Sequence, residues 1–455
     1  MHRAMKILAV LAALGALPLA PTSARPADPL FTPSELPYPF SAAVQVGDIL
    51  YLSGDIGVTD DGQSLVPGGI EPETRRMFER IGATLAGHGL GFGDLFKCTV
   101  MLADMADWPA FNAIYREHFE AGRYPARSAM GVNGLALGAR VEMECWAWNP
   151  LIIEVSLNGS VKKAQNPNAP YGDEEIVDQA IACMEAGAAL VHNHTEDPVF
   201  GGTGVMDAEN YARPWRKLLQ LRPDAILTPT MPGREGVPVE DRYAHIEAMA
   251  KEGLIAQGLC DPGSFNVSVP GPDGAFAPTS LVYRNDMHDS HYYVEACRRL
   301  GLGMSISIFE PGFVKFIMAL HRAGRLPPGG IMKFYFGAAD QPFGLPPTAT
   351  ALDAYLEMIA GSGLPWLVSS FGDDCTGCGL AEAAIVRGGH VQVGIEPYGG
   401  PRTPTNVELV EEVVGLARRL GRRIATPAEA AAILSLPTYP VPFARTLRTT
   451  GKAAS

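Results

Sequence analysis

The sequence predicts an α/β protein in two parts, a small α+β domain followed by a (β/α)8 barrel of the TIM type. Three observations predict it. At 455 residues the chain is too long for one ordinary hydrophobic core. The rhythm of strand and helix patterns changes near Asn149-Pro150. Beyond that seam, short apolar runs alternate with helical patterns over about 290 residues, as a parallel sheet wrapped by helices requires.

Composition narrows the class further. Hydrophobic residues make up 47% and charged residues 19%, which suits a well-buried globular chain. The formal net charge of -13 speaks against nucleic acid as a partner, since no basic stripe exists to displace counterions from phosphates. Arg3 and Lys6 precede an apolar stretch at 7–20, and Thr22-Ser23-Ala24 offers small residues for cleavage. This pattern predicts an export signal over 1–24 and a periplasmic or secreted mature protein. No later run is long and apolar enough to span a bilayer, so the mature form is expected to have no membrane segment.

The small domain is expected over 30–149. Strands are predicted at 41–47, 49–56, 95–103 and 140–148, the second and third rich in β-branched or aromatic residues. A helix over 73–88 carries Met77, Ile81 and Leu85 at helical spacing and stops at Gly89. A second helix starts after Asp107, with Pro109 in its first turn and Phe111, Ile114 and Phe119 along one side.

The barrel is expected over 150–440, with 441–455 as a tail. Its strands are predicted at 151–157, 190–194, 225–230, 259–267, 304–310, 332–337, 366–370 and 390–396. Among the intervening helices, 173–186 ends on Gly187. Seven cysteines are scattered through apolar patterns and predict buried thiols, not a disulfide framework. Only Cys375-Thr376-Gly377-Cys378 has a suggestive spacing; in an oxidising compartment those two could pair.

One short run carries the chemistry. In Leu190-Val191-His192-Asn193-His194-Thr195 two histidines one residue apart end a strand, so their side chains point the same way. An oxygen ligand from elsewhere would complete a three-ligand divalent site with an open position. Active sites of such barrels lie at the C-terminal ends of the strands. Glu396 ends the eighth strand, so it reaches the same mouth as His192 and His194.

These stretches resemble the β-keto acid cleavage enzyme (BKACE) family, whose founding member is 3-keto-5-aminohexanoate cleavage enzyme. The matching runs are Ile152-Ile153-Glu154-Val155-Ser156-Leu157-Asn158-Gly159, Glu185-Ala186-Gly187-Ala188, Val191-His192-Asn193-His194, Gly388-Gly389-His390-Val391, Val393-Gly394-Ile395-Glu396 and Ala425-Thr426-Pro427. The resemblance implies zinc held by His192, His194 and Glu396. It also implies condensation of a β-keto acid with acetyl-CoA to give acetoacetate and a new CoA thioester. By the same resemblance Thr230 would donate a hydrogen bond to developing oxyanion charge, and Ser264 would hold the substrate carboxylate. Glu310 would orient a bound group or act as a base, and Asn158 would reach the mouth from the first strand. The family's catalytic arginine falls at Gln392, and the aspartate after the ligand glutamate falls at Pro397; Asp373 or Asp374 could supply the missing carboxylate from the neighbouring loop. Without that Arg–Asp pair and with an export signal, an acceptor other than acetyl-CoA, such as water, becomes an expectation.

The first domain resembles the Rid (reactive intermediate deaminase) family, a chorismate-mutase-like fold that usually works as a trimer. Val46-Gly47-Asp48, Leu52-Ser53-Gly54-Asp55-Ile56-Gly57, Tyr124-Pro125-Ala126-Arg127-Ser128 and Val141-Glu142-Met143-Glu144 carry that resemblance. It implies that Arg127 forks onto a substrate carboxylate, that Ser53 helps bind substrate, and that Glu142 positions water for imine hydrolysis. The family's tyrosine is Phe40 here, and its cysteine is Ala129. The expected partners are a small β-keto or imino acid and further copies of the chain. Imine deamination with the barrel as a scaffold, or binding of keto or imino acids without turnover, are the competing readings.

Overall fold

A computed structural model describes residues 29–451 except 47, 48, 89, 200, 201 and 234. The predicted export signal at 1–24 lies outside them, as do Gly47 and Asp48 of the first Rid-like motif.

The small domain is a six-stranded sheet backed on one face by two helices. In spatial order its strands are Leu30–Pro33, Ser41–Val46, Ile49–Leu52, Val141–Trp148, Leu95–Leu102 and Ala126–Gly131. Every neighbouring pair is antiparallel except Leu95–Leu102 with Ala126–Gly131. Helices Ile70–Ala86 and Trp108–Glu117 bury Met77, Phe78, Ile81, Phe111 and Ile114 against Leu50, Val100, Val141 and Met143. Because side chains alternate along a strand, the opposite face presents Phe96, Trp146 and Trp148, all exposed. Two strands escape the sequence reading. Leu30–Pro33 is short and ends in proline, and Ala126–Gly131 has no apolar alternation by which to be seen. The strand expected over 49–56 ends at Leu52, and Asp55 keeps only an isolated bridge to Met143.

The thiol reading needs a correction. Cys98 and Cys145 lie directly opposite each other on neighbouring strands and form a disulfide. They are 47 residues apart, so only the strand register brings them together. Cys375 and Cys378 are both free.

The barrel strands are Ile153–Ser156, Leu190–His192, Ile226–Thr228, Gln257–Cys260, Gly303–Ile308, Gly330–Gly337, Trp366–Phe371 and His390–Val393. All are parallel, and the eighth pairs with the first, making a nearly closed sheet. Strands buried on both faces read as continuous apolar runs, which is why periodicity found them. The fourth was expected to run to Val267 but stops at Cys260, where Asp261-Pro262-Gly263 breaks the ladder. A separate hairpin, Phe265–Asn266 with Val282–Tyr283, follows. The segment expected as a tail instead forms helix Pro442–Gly451, with Val441 and Ala444 in the barrel core.

The predicted seam is locked by a buried arginine. Arg422 donates to the carbonyls of Asn149, Ile385, Gly388 and Gly389 and to Asn149 Oδ1. Beside the seam, within the small domain, Thr32 Oγ1 bonds His88 Nε2 at 3.0 Å. Burial, reinforced by the charge of Arg422, pushes the His88 imidazole down to about 4.

Candidate metal centre

His192 ends the second barrel strand, and its Nδ1 lies 2.9 Å from the carbonyl oxygen of Thr228. A carbonyl can only accept, so Nδ1 carries the proton and Nε2 keeps a free lone pair in the neutral ring. That lone pair faces Glu396 Oε2 at 3.3 Å, while His194 Nε2 stands 3.1 Å from Glu396 Oε1. The ligand atoms of all three residues lie within 4.8 Å of one another. Burial opposes ionisation of Glu396, yet the two histidines outweigh it and hold the carboxyl well below its usual range. Imidazole nitrogens this close to a carboxylate need positive charge between them, either a proton on each ring or one shared metal cation. Glu396 Oε2 is buried without a hydrogen bond, consistent with a ligand atom. The donor set of two imidazoles and one carboxylate suits zinc with an open position.

The surrounding chain fixes these groups. Asn158 Oδ1 accepts from His194 N at 2.8 Å, and its amide donates to the carbonyls of His194 and Pro170. Its side chain is therefore committed to holding the His194 loop, not to contacting substrate as expected. Gly159 sits at φ 53°, and a Cβ there would run into Glu396 Cγ, so the carboxylate can approach only a glycine. Asn193 Oδ1 accepts from buried Trp215 Nε1, anchoring the residue between the two histidines.

Of the other predicted barrel residues, Thr230 lies at the mouth just past the third strand, its N–H on Tyr211 and its carbonyl on His245 Nε2. Two are not brought to the trio. Ser264 Oγ exchanges hydrogen bonds with the backbone of Asn285, and Glu310 Oε1 accepts from Gly344 N at 3.3 Å. Both brace loops beyond their strands. Asp373 and Asp374 likewise cap their own loop, and Asp374 also faces Arg402.

Sequence reasoning missed the polar interior beneath the trio. Lys333 on the sixth strand donates to Glu154 Oε1 on the first at 2.5 Å, and both are fully buried. Gln392, where an arginine was expected, donates to that same oxygen and to Ser156 Oγ. Asp261, just past the fourth strand, accepts from Tyr283 OH. A lone lysine in an otherwise apolar strand, Gly330–Gly337, was the available signal.

In the small domain the predicted pair is split. Arg127 is in register with Cys98, whose side chain faces the helices, whereas Glu142 is in register with Met101. An odd offset places them on opposite faces of the sheet. The Arg127 guanidinium lies over the rings of Trp108 and Tyr115, and its Nη1 is buried without a partner. Glu142 lies beside Gly54, where burial and the neighbouring Asp55 raise its pKa. Ser53 Oγ donates to Ser41 O at 2.6 Å.

A nearly closed parallel sheet with a histidine pair and a converging carboxylate at one end defines a barrel of the enzyme type with a candidate metal site. Residues 150–436 match the family model described as beta-keto acid cleavage enzyme, and residues 34–149 match the one described as Endoribonuclease L-PSP. The chain belongs to the β-keto acid cleavage enzyme family, whose relatives cleave C–C bonds, with a Rid-like domain fused before the barrel. It is 30% identical over 292 residues to 3-keto-5-aminohexanoate cleavage enzyme of Fusobacterium nucleatum, covering 63% of this chain and 98% of that one. It is 41% identical over 109 residues to mouse 2-iminobutanoate/2-iminopropanoate deaminase, covering 24% of this chain and 80% of that one. The crystal structure of yeast Mmf1 is 33% identical and covers 27% of this chain and 97% of that one, with a TM-score of 0.24.

Proposed function

We propose that the barrel is a zinc-dependent enzyme cleaving a β-keto acid, with zinc held by His192, His194 and Glu396. The observation carrying this reading is the pair of imidazole nitrogens aimed at an ionised, buried carboxylate. Zinc bound there would supply Lewis acidity toward the keto and carboxylate oxygens of the substrate. The chain's own residues do the rest. Thr228 fixes the His192 tautomer through its carbonyl, Asn158 holds His194, and Thr230 offers a hydroxyl at the mouth. The acceptor is acetyl-CoA or, for a protein exported by residues 1–24, water.

Purified full-length protein incubated with a panel of β-keto acids, with and without acetyl-CoA, tests this, alongside metal analysis. Cleavage by zinc-loaded protein is expected. Strict dependence on acetyl-CoA would remove the water alternative, and zinc-loaded protein inert toward every acid would overturn the reading.

A second reading concerns the small domain. The unpartnered Arg127 Nη1 supports a carboxylate-binding role there, and the split between Arg127 and Glu142 supports an imine site assembled between copies of a homo-oligomer. Hydrolysis of 2-iminopropionate that depends on protein concentration would support it; a monomer that binds without turnover would favour a sensing module.

A further inference from the structure

Among the described residues the barrel interior holds three acidic side chains, the buried Glu154 and Asp261 and the largely buried Glu396. Glu396 belongs to the ligand trio. Glu154 lies one layer down, since it pairs with Leu190 while Ser156 pairs with His192; its Oε1 accepts from Lys333 and Gln392, and its Oε2 has no hydrogen bond. Asp261 differs from both. Cys260 and Gly258 face the helices, where a Cβ on Gly258 would meet Cys297 and Tyr243, so Asp261 turns inward by strand alternation. It stands immediately past the fourth strand, at the same end of the barrel as His192, His194 and Glu396. It is 4% exposed, with Oδ2 accepting from Tyr283 OH, the Ser307 hydroxyl alongside the carboxyl, and Oδ1 without a hydrogen bond among the described residues. A buried carboxylate held through one oxygen, with the other bare, has the disposition of a general base.

We infer that Asp261 Oδ1 is the proton acceptor of this barrel, taking the proton from the carbon between the keto and carboxylate groups of the bound acid. The inference rests on the β-keto acid reading above. The C–H bond breaks, an O–H bond forms on Asp261, and the electron pair spreads onto the keto oxygen; no oxidant or reductant is needed. The loop-capping Asp373 and Asp374 stay uninvolved. Burial raises the Asp261 pKa, and Tyr283, Ser307, Lys333 and His192 each pull it back down. Tyr293 and Tyr335 also lie within reach of its charge. The Lys333–Glu154 pair beneath is a positioning element that keeps a cation near Asp261 without consuming its free oxygen.

The test is deuterium uptake at that carbon, followed by proton NMR in D2O without acetyl-CoA and corrected for the uncatalysed rate. Wild-type protein should exchange, and Asp261→Asn should lose about 10²–10⁴-fold. Zinc content and calorimetric affinity for the acid should stay near wild type, and Asp261→Glu should restore part of the exchange. Asp373→Asn should exchange like wild type. If Asp261→Asn does not fold, Tyr283→Phe decides. Removing a hydrogen bond to the charged form raises the pKa of Asp261, so the acid limb of kcat/KM should move to higher pH. Unaltered exchange in Asp261→Asn, or an unmoved acid limb in Tyr283→Phe, overturns the inference while leaving the zinc reading standing. Wild-type protein that neither exchanges nor cleaves overturns both.

Discussion

In the barrel, groups from the first, second, fourth and eighth strands gather at one end. In the small domain the two expected catalytic groups diverge, Arg127 to the helix side and Glu142 to the open side. A closed sheet has one interior and one mouth, so inward residues at strand ends must meet. An open sheet has two faces, and a site built from both needs something else to bring them together. Phe96, Trp146 and Trp148 stand exposed on that open face. The closed sheet thus brings its strand-end groups together within one chain, whereas the open sheet leaves Arg127 and Glu142 on opposite faces.

The sharpest way to break this comparison is His192→Ala. It should abolish stoichiometric zinc and lower β-keto acid cleavage by about a thousandfold or more, the several kcal/mol expected of metal assistance. Any deamination by the small domain should persist, so parallel assays on one preparation would read both halves. Full zinc retention would remove the ligand assignment. Asn158→Ala leaves the ligands in place but frees the His194 loop, and a titrated zinc affinity should weaken by about 10–100-fold. An unchanged affinity would return Asn158 to the substrate role that the sequence implied.

Arg127→Ala should weaken binding of a small carboxylate by about tenfold or more, as loss of charge-assisted hydrogen bonds does, with barrel activity unchanged. Calorimetry with pyruvate reads it, and equal affinity in both proteins would leave the aromatic cage of Arg127 purely structural. The smallest effect lies at the seam. His88 is held neutral, with its pKa lowered to about 4 from the usual 6.5. The unfolded chain therefore binds the extra proton first, and stability contributed by His88 is complete above about pH 6.5 and lost as pH falls toward 4. Thermal unfolding of wild type should drop more between pH 7 and 5 than that of His88→Asn; equal drops would clear His88 of this role.

Much of this was legible beforehand. The histidine pair, Glu396 and all eight barrel strands followed from periodicity, because strands buried on both faces read as apolar runs. Strand ends were less legible: the fourth stops at Cys260, shortly before Pro262, which cannot donate to the ladder. The Cys98–Cys145 bond, the inward Asp261 and the Lys333–Glu154 pair were not visible, since 47 and 179 residues separate the members of the two pairs. Ser264, Glu310 and Asn158 illustrate the converse. Their residue types suited chemistry, yet loops claimed their hydrogen-bonding capacity.

Sequence by itself determined the two-domain plan and which side chains would stand at the barrel mouth, because burial and alternation are local properties of a strand. Only the tertiary structure decided which of those side chains keep an open valence. That depends on what each oxygen hydrogen-bonds once the chain closes: Glu154 Oε1 finds Lys333 and Gln392, Asp261 Oδ2 finds Tyr283, and Glu154 Oε2 and Asp261 Oδ1 find none. Such partners are set by packing between distant segments, and no spacing along the chain encodes them.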